Sequence, residues 1–266
     1  MTRHRALASV AAAGALAASL LGTTPAAAER LVASMSRHQV LVNSNFTGTS
    51  IVLFGTVEPD SPSALRRRNT GYDIVVTVTG PKQSIVTMRK ERVAGIWTNV
   101  ASSTFVNVPS YLAVFSNQPF DKITNAETLR RQKIGIDNTL LPQQIGPDIG
   151  DPGPSDPFRA NFVRLKMEHG LYRQATNGVT LLTPTVFRAE VPLPAETAIG
   201  NYDVAVEVFA DGAQVARGAS AFELIKVGFE QFIATSARDH GLLYGLATAM
   251  MALVTGWLAS VIFRRD

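Results

Sequence analysis

Between Leu31 and Phe115, apolar and polar residues alternate in short β-branched runs set off by turn residues. The runs are Gln39–Asn43, Ser50–Val57, Tyr72–Thr79, Ser84–Arg89, Thr104–Val108 and Tyr111–Phe115, punctuated by Gly48, Pro59, Gly71, Gly80-Pro81 and Pro109. Many short strands at such spacing predict a sandwich. In the clearest run, Tyr72, Ile74, Val76 and Val78 share one face, because successive side chains of a strand point to opposite sides. The pattern then changes. Thr124-Asn125-Ala126-Glu127 reads as a capping box that opens a helix ending near Gly135. A loop dense in Pro, Gly and Asp follows from Asp148 to Pro157. Asp156 is placed as an N-cap, with Pro157 in the first helical position. Phe158, Phe162, Leu165 and Tyr172 would line the inner side of that second helix. Strand signals return from Val179 to Val227. Tyr202, Val204, Val206 and Val208 alternate, Asp211-Gly212 makes a turn, and a second strand comes back to Arg217.

The lead-in Pro194…Gly200-Asn201-Tyr202 resembles the approach to a late strand of an immunoglobulin-like sandwich, where a tyrosine pins the corner. The expected class is mainly β: an immunoglobulin-like ectodomain with a short helical insertion and one C-terminal transmembrane helix. The similar openings Tyr72-Asp73-Ile74 and Tyr202-Asp203-Val204 leave open whether the body is one interrupted sandwich or two lobes. The segments are 29–120 (β-rich), 121–175 (helices and loop), 176–227 (β-rich) and 228–240 (juxtamembrane, with Phe229, Phe232 and Ile233 on one face).

Two apolar runs flank this body. Arg3, His4 and Arg5 precede Ala6–Leu21, and Ala26-Ala27-Ala28 offers small residues to a signal peptidase; residues 1–28 read as a secretory signal. Leu242–Phe263 is 22 residues without a charge. At about 1.5 Å per residue it reaches about 33 Å, enough for a bilayer core of about 30 Å. Arg264 and Arg265 follow at once, which places the three-residue tail 264–266 on the cytoplasmic side. The expectation is a bacterial inner-membrane protein with its body in the periplasm. At 100° per residue, Gly241, Gly245, Ala249, Ala252, Gly256, Ala259 and Ser260 fall within one arc of about 100°. Leu246, Met250, Leu253, Trp257 and Val261 lie opposite. Small residues in one stripe let another helix approach closely in lipid, so Gly241, Gly245, Ala249, Ala252, Gly256 and Ser260 are the candidate helix-packing face.

Composition removes several classes of function. The 266 residues have 46% hydrophobic and 17% charged content, ample for a core. The formal charge is +4. Setting aside Arg3, Arg5, Arg264 and Arg265 on one side and Asp266 on the other leaves 21 basic and 20 acidic residues. A body so near neutral has no global claim on nucleic acid. With no cysteine there is no disulfide and no thiolate ligand or nucleophile. His4, His38, His169 and His240 show no metal-ligand spacing. No nucleophile elbow, phosphate loop or calcium loop is present, and nothing calls for a triad on His38 or His169. No metal, cofactor or catalytic residue is expected. Asp148, Asp151 and Asp156 read as a solvated acidic loop, and Arg66-Arg67-Arg68 as an exposed polar one. Arg89-Lys90-Glu91-Arg92 before Gly95-Ile96-Trp97 has two readings. Arg89, Arg92 and Trp97 form a surface for a partner or an anion, or they are a charged strand end beside a core tryptophan.

Phe46-Thr47-Gly48-Thr49, Leu53-Phe54-Gly55, Arg89–Trp97, Phe105–Pro109 and Val227–Asp266 together resemble the alphaproteobacterial transmembrane protein family. The most specific stretch is Ala237-Arg238-Asp239-His240-Gly241-Leu242-Leu243-Tyr244-Gly245, with Thr255-Gly256-Trp257-Leu258-Ala259. The loop holding Arg66-Arg67-Arg68 is longer than the family pattern. The resemblance implies a signal, a periplasmic body and a C-terminal span, but no catalytic residues. It also implies genes beside multi-pass permeases of the sulfite-exporter type, and so such a permease as partner. Three classes of function follow: an accessory subunit of a membrane transporter or complex, a free-standing envelope binding or structural protein that self-associates through the helix stripe, and, with no motif behind it, an enzyme.

Overall fold

The computed structural model describes residues 29–59, 71–228 and 237–263. The expected secretory signal (1–28), Arg66-Arg67-Arg68, Phe229, Phe232 and Ile233, and residues 264–266 lie outside the described residues. In chain order the elements are β1 (Arg30–Met35), β2 (Gln39–Val42), β3 (Gly48–Glu58), β4 (Asp73–Thr79), β5 (Lys82–Val93), β6 (Ile96–Pro109), β7 (Leu112–Ser116), α1 (Phe120–Ile123), α2 (Ala126–Gln132), β8 (Gln143–Ile145) and β9 (Asp148–Gly150). They continue with α3 (Pro157–Glu168), β10 (Tyr172–Ala175), β11 (Val179–Leu181), β12 (Val186–Pro194), β13 (Gly200–Ala210), β14 (Ala213–Lys226) and α4 (Gly241–Ile262).

Alternation writes the two main sheets. One has the order β1-β3-β12-β11 and the other β10-β7-β4-β13-β14-β2. In the first, Ile51, Leu53 and Val57 of β3 and Phe187, Ala189, Val191 and Leu193 of β12 are buried, while Phe54, Arg188 and Glu190 face out. In the second, Ile74, Val76 and Val78 of β4 stand opposite Val208, Val206 and Val204 of β13, all buried. The buried faces belong to one apolar cluster, which also takes in Leu31 of β1 against Gly218 of β14. Burying such faces is the main favourable term in folding.

Strands from both halves of the chain share both sheets. β3 pairs with β12, and β4 with β13. The strands that open with Tyr72 and Tyr202 are therefore neighbours in one sheet, and the β-rich segments 29–120 and 176–227 complete each other. The Tyr202 hydroxyl donates to the Ala198 carbonyl four residues upstream. Burial pushes that phenol up to about 12.

The third sheet, order β5-β6-β8-β9, differs in kind. Its β5 and β6 pair from Lys82↔Pro109 out to Val93↔Ile96. β8 joins β6 only at Phe105↔Gln143. Beyond that point β5 and β6 run as a two-stranded ribbon.

Candidate functional site

The ribbon is mounted on the helical insertion. Ser103 of β6 donates to Gln143 Oε1 at 2.6 Å, and Gln143 Nε2 donates to Asp156 Oδ1 at 2.9 Å. The same carboxylate oxygen caps α3 by accepting from the Arg159 amide at 2.8 Å, as a helix N-terminus with free N–H groups requires. Phe105 of β6 stacks on Phe162 of α3 with centroids 4.4 Å apart, and Phe162 meets the edge of Tyr172 at 5.8 Å. Arg159, only 3% exposed, closes the arrangement. Its Nη1 donates to both Asp151 oxygens at 2.8 and 2.9 Å, and its Nη2 to the carbonyls of Asp137 and Thr139 at 3.2 and 2.7 Å. Burial pushes the Asp151 carboxyl up. Amides of Gly153 and Leu141 and the Arg159 guanidinium outweigh that, and the net shift is downward.

These contacts correct several expectations. The acidic loop is not solvated throughout: the carboxylates of Asp151 and Asp156 are tied into the mount, whereas Asp148 lies exposed on β9. The cap of α2 is Asn125, whose Oδ1 accepts from the Thr128 amide at 2.8 Å; Thr124 instead bonds the Gly212 carbonyl. On α3, Phe162 is buried and Phe158 partly so, but Leu165 is largely exposed and Tyr172 sits on β10.

Along the ribbon, the register sorts the side chains. Arg92 pairs with Trp97, Lys90 with Asn99 and Met88 with Ser102, so these lie on one face together with Val86. Asn99 Nδ2 reaches Met88 Sδ at 3.2 Å on that face. The opposite face carries Thr87, Arg89, Glu91, Val93, Ile96 and Thr98; its base, at Ile85 and Phe105, turns to the body. There Arg89 is bonded by Glu91 at 2.9 Å. The face with Lys90 and Arg92 holds no carboxylate. Arg92 Nε donates to the Gly95 carbonyl at 3.2 Å, bracing the turn. Ala94 and Gly95 both have positive φ, 50° and 89°, as a tight two-residue hairpin turn demands.

The alternative of a core tryptophan is overturned. Trp97 is 69% exposed, Ile96 72% and Val93 52%. The structure brings Arg92 and Trp97 side by side and sends Arg89 to the other face, so the three do not form a single surface.

α4 carries the other candidate residues. It is one uninterrupted helix of 22 residues, long and apolar enough to cross a membrane, with none of its residues buried in the body. Its regular path keeps Gly241, Gly245, Ala249, Ala252, Gly256 and Ser260 on one side. A Cβ built on Gly241, Gly245 or Gly256 meets nothing within 4 Å. The Thr248 and Thr255 hydroxyls bond carbonyls of their own helix, Gly245 and Met251, so α4 presents few free polar groups.

A cleft of about 970 Å³ lies between α3, β10 and β12, with Arg173, Asp137, Arg188 and Glu190 among its lining. Its lining comes from five separate segments, so no local sequence pattern marks it. Among the described residues no three His, Asp or Glu side chains gather to hold a metal ion. His169 Nδ1 lies 2.7 Å from Glu196 Oε2, both exposed.

Among the described residues, a mainly β body is followed by one apolar helix long enough to cross a membrane, near the C-terminus. Residues 30–265 match the alphaproteobacterial family described as "Putative transmembrane protein", and the chain belongs to that family. No curated protein matches the chain.

Proposed function

We propose that this protein is a non-catalytic accessory subunit of an inner-membrane transporter or complex. Its body is an immunoglobulin-like sandwich in the periplasm, and its C-terminus lies in the cytoplasm. The observation that carries the reading is α4. Among the described residues nothing lies within 4 Å of a Cβ built on Gly241, Gly245 or Gly256 of its small-residue side, and in lipid such a side is the close-packing surface for another helix. The Tyr202–Ala198 corner supports the immunoglobulin-like assignment. A multi-pass permease of the sulfite-exporter type is the partner that the family resemblance offers.

Co-purification from native membranes in mild detergent tests this, comparing wild type with Gly245→Leu/Gly256→Leu. A multi-pass protein present with wild type and lost from the variant is the expected result. Recovery of the chain alone in both samples would refute an accessory role and favour a free-standing binding protein, for which the cleft beside Arg173 and Arg188 is the place to look.

A further inference from the structure

The β5–β6 ribbon is built differently from an edge that merely lacks a neighbour. Its last five residues, Val93-Ala94-Gly95-Ile96-Trp97, carry no charge. Both faces of this tip are apolar: Val93 and Ile96 on one, Trp97 on the other. All three are more than half exposed. Immediately behind the tip come Arg92 and Lys90 on the face without a carboxylate, with Val86, Met88 and Val100 also exposed. A protein-docking face needs to be apolar on one side only. An apolar tip exposed all round, backed by Lys90 and Arg92 on one face and the Arg89–Glu91 ion pair on the other, matches a medium that surrounds it, the interface of a bilayer. There tryptophan sits at the headgroup level, and Lys and Arg extend toward phosphates.

The bilayer is also within constant reach. The 14 residues 227–240 join β14 to α4. Fully extended they span at most roughly 50 Å, so a body whose helix is in the membrane stays near its surface. A bare two-stranded ribbon is marginal in water; lipid would cover it.

We propose that the tip of the β5–β6 ribbon inserts into the anionic headgroup region of the same bilayer that α4 crosses, with Lys90 and Arg92 on lipid phosphates and Trp97, Ile96 and Val93 below them. The proposal uses the membrane anchoring but not the accessory role, so it survives if no partner is found.

The test uses the full chain in vesicles of phosphatidylcholine alone or mixed with phosphatidylglycerol, in a Trp257→Phe background that leaves Trp97 as the single tryptophan. In mixed vesicles Trp97 emission should shift to the blue and be quenched by lipids brominated near the headgroup. Each cation near such a surface contributes about a factor of five to binding. Lys90→Gln/Arg92→Gln should therefore lower the ratio of inserted to free tip about 30-fold. Arg130→Gln/Arg131→Gln on exposed α2, an equal change in charge, should leave it unaltered. Emission that stays red and unquenched in every vesicle would overturn the proposal. So would shielding of Trp97 seen only in native membranes, which would assign the tip to a protein instead. Equal quenching with and without phosphatidylglycerol would overturn the anionic requirement.

Discussion

Two hairpins of this protein are nearly the same object locally and opposite in every other respect. β13–β14 and β5–β6 each join long strands, 11 with 14 residues and 12 with 14. Each turns on two residues of positive φ: Asp211-Gly212 at 51° and 80°, and Ala94-Gly95 at 50° and 89°. Register breaks interrupt both: one between Val208 and Phe209 in the first, and two, at Gln83/Ile85 and Arg89/Lys90, in the second. Yet β13–β14 lies in the middle of a six-stranded sheet, flanked by β4 and β2, whereas β5–β6 leaves the body after Phe105. Turn chemistry makes a hairpin; the side-chain pattern decides what it is for. Tyr202, Val204, Val206 and Val208 alternate with Asp203, Ala205 and Glu207 and meet an apolar layer. From Met88 to Val100 the apolar residues gather toward a tip at which Val93, Ile96 and Trp97 stay more than half exposed.

This contrast can be broken by substitution, and the largest effects belong to the buried hairpin and the mount of the exposed one. Phe209→Ala in β13 should cost about 3–5 kcal/mol through lost burial and the cavity left behind. Thermal unfolding of the full chain in detergent, followed by circular dichroism, measures it. Arg159→Met should cost less, about 1–3 kcal/mol, because the buried guanidinium's bonds to Asp151 and to the carbonyls of Asp137 and Thr139 are lost. If Arg159→Met left stability unchanged, the mount as described would be wrong. Tyr202→Phe should cost about 1 kcal/mol, the usual net contribution of one hydrogen bond.

Glu207 of β13 sharpens the comparison through pH. Burial raises its carboxyl above the ordinary 4.5, while Arg217 at 3.8 Å works the other way. The folded chain then holds this proton more tightly than the unfolded chain. The stability tied to it is complete below pH 4.5 and is lost as pH rises through the folded value. Glu207→Gln should remove that loss and leave the protein more stable than wild type at pH 7. A variant whose pH profile runs parallel to wild type would show that the carboxyl is not perturbed. The smallest effect belongs to the exposed hairpin: Trp97→Ala should change stability by less than about 0.5 kcal/mol, as surface substitutions do. A larger loss would make the tip part of the fold rather than a contact surface.

The legible parts of the sequence were those where local pattern and tertiary role agree. Gln39–Val42, Gly48–Glu58, Asp73–Thr79 and the pair around Asp211-Gly212 follow from alternation. The helix at Pro157 follows from Asp156 and the proline after it. The ribbon was harder. Alternation identified only its base, Ser84–Arg89 and Thr104–Val108, since beyond these no core enforces the period. The Ala94-Gly95 turn lacks the Asn-Gly or Asp-Gly signal. The three-residue strands β8, β9 and β11 are too short to show a period. The acidic loop read as solvated because sequence could not show that Arg159, eight residues past Asp151, turns back to it. The stripe of α4 was visible because helical periodicity is local, but nothing in the chain names what lies against it.

The lack of cysteine gives a clean background for the most direct test of the central claim, that α4 packs on a partner through its small-residue side. Single cysteines would be placed at Gly245, Ala252 and Gly256, and at Leu246, Met250 and Leu253 opposite, then crosslinked in native membranes. The account predicts adducts with a different, multi-pass protein from the first set and none from the second. Adducts with another copy of the chain, equal adducts from both sets, or none at all would contradict it.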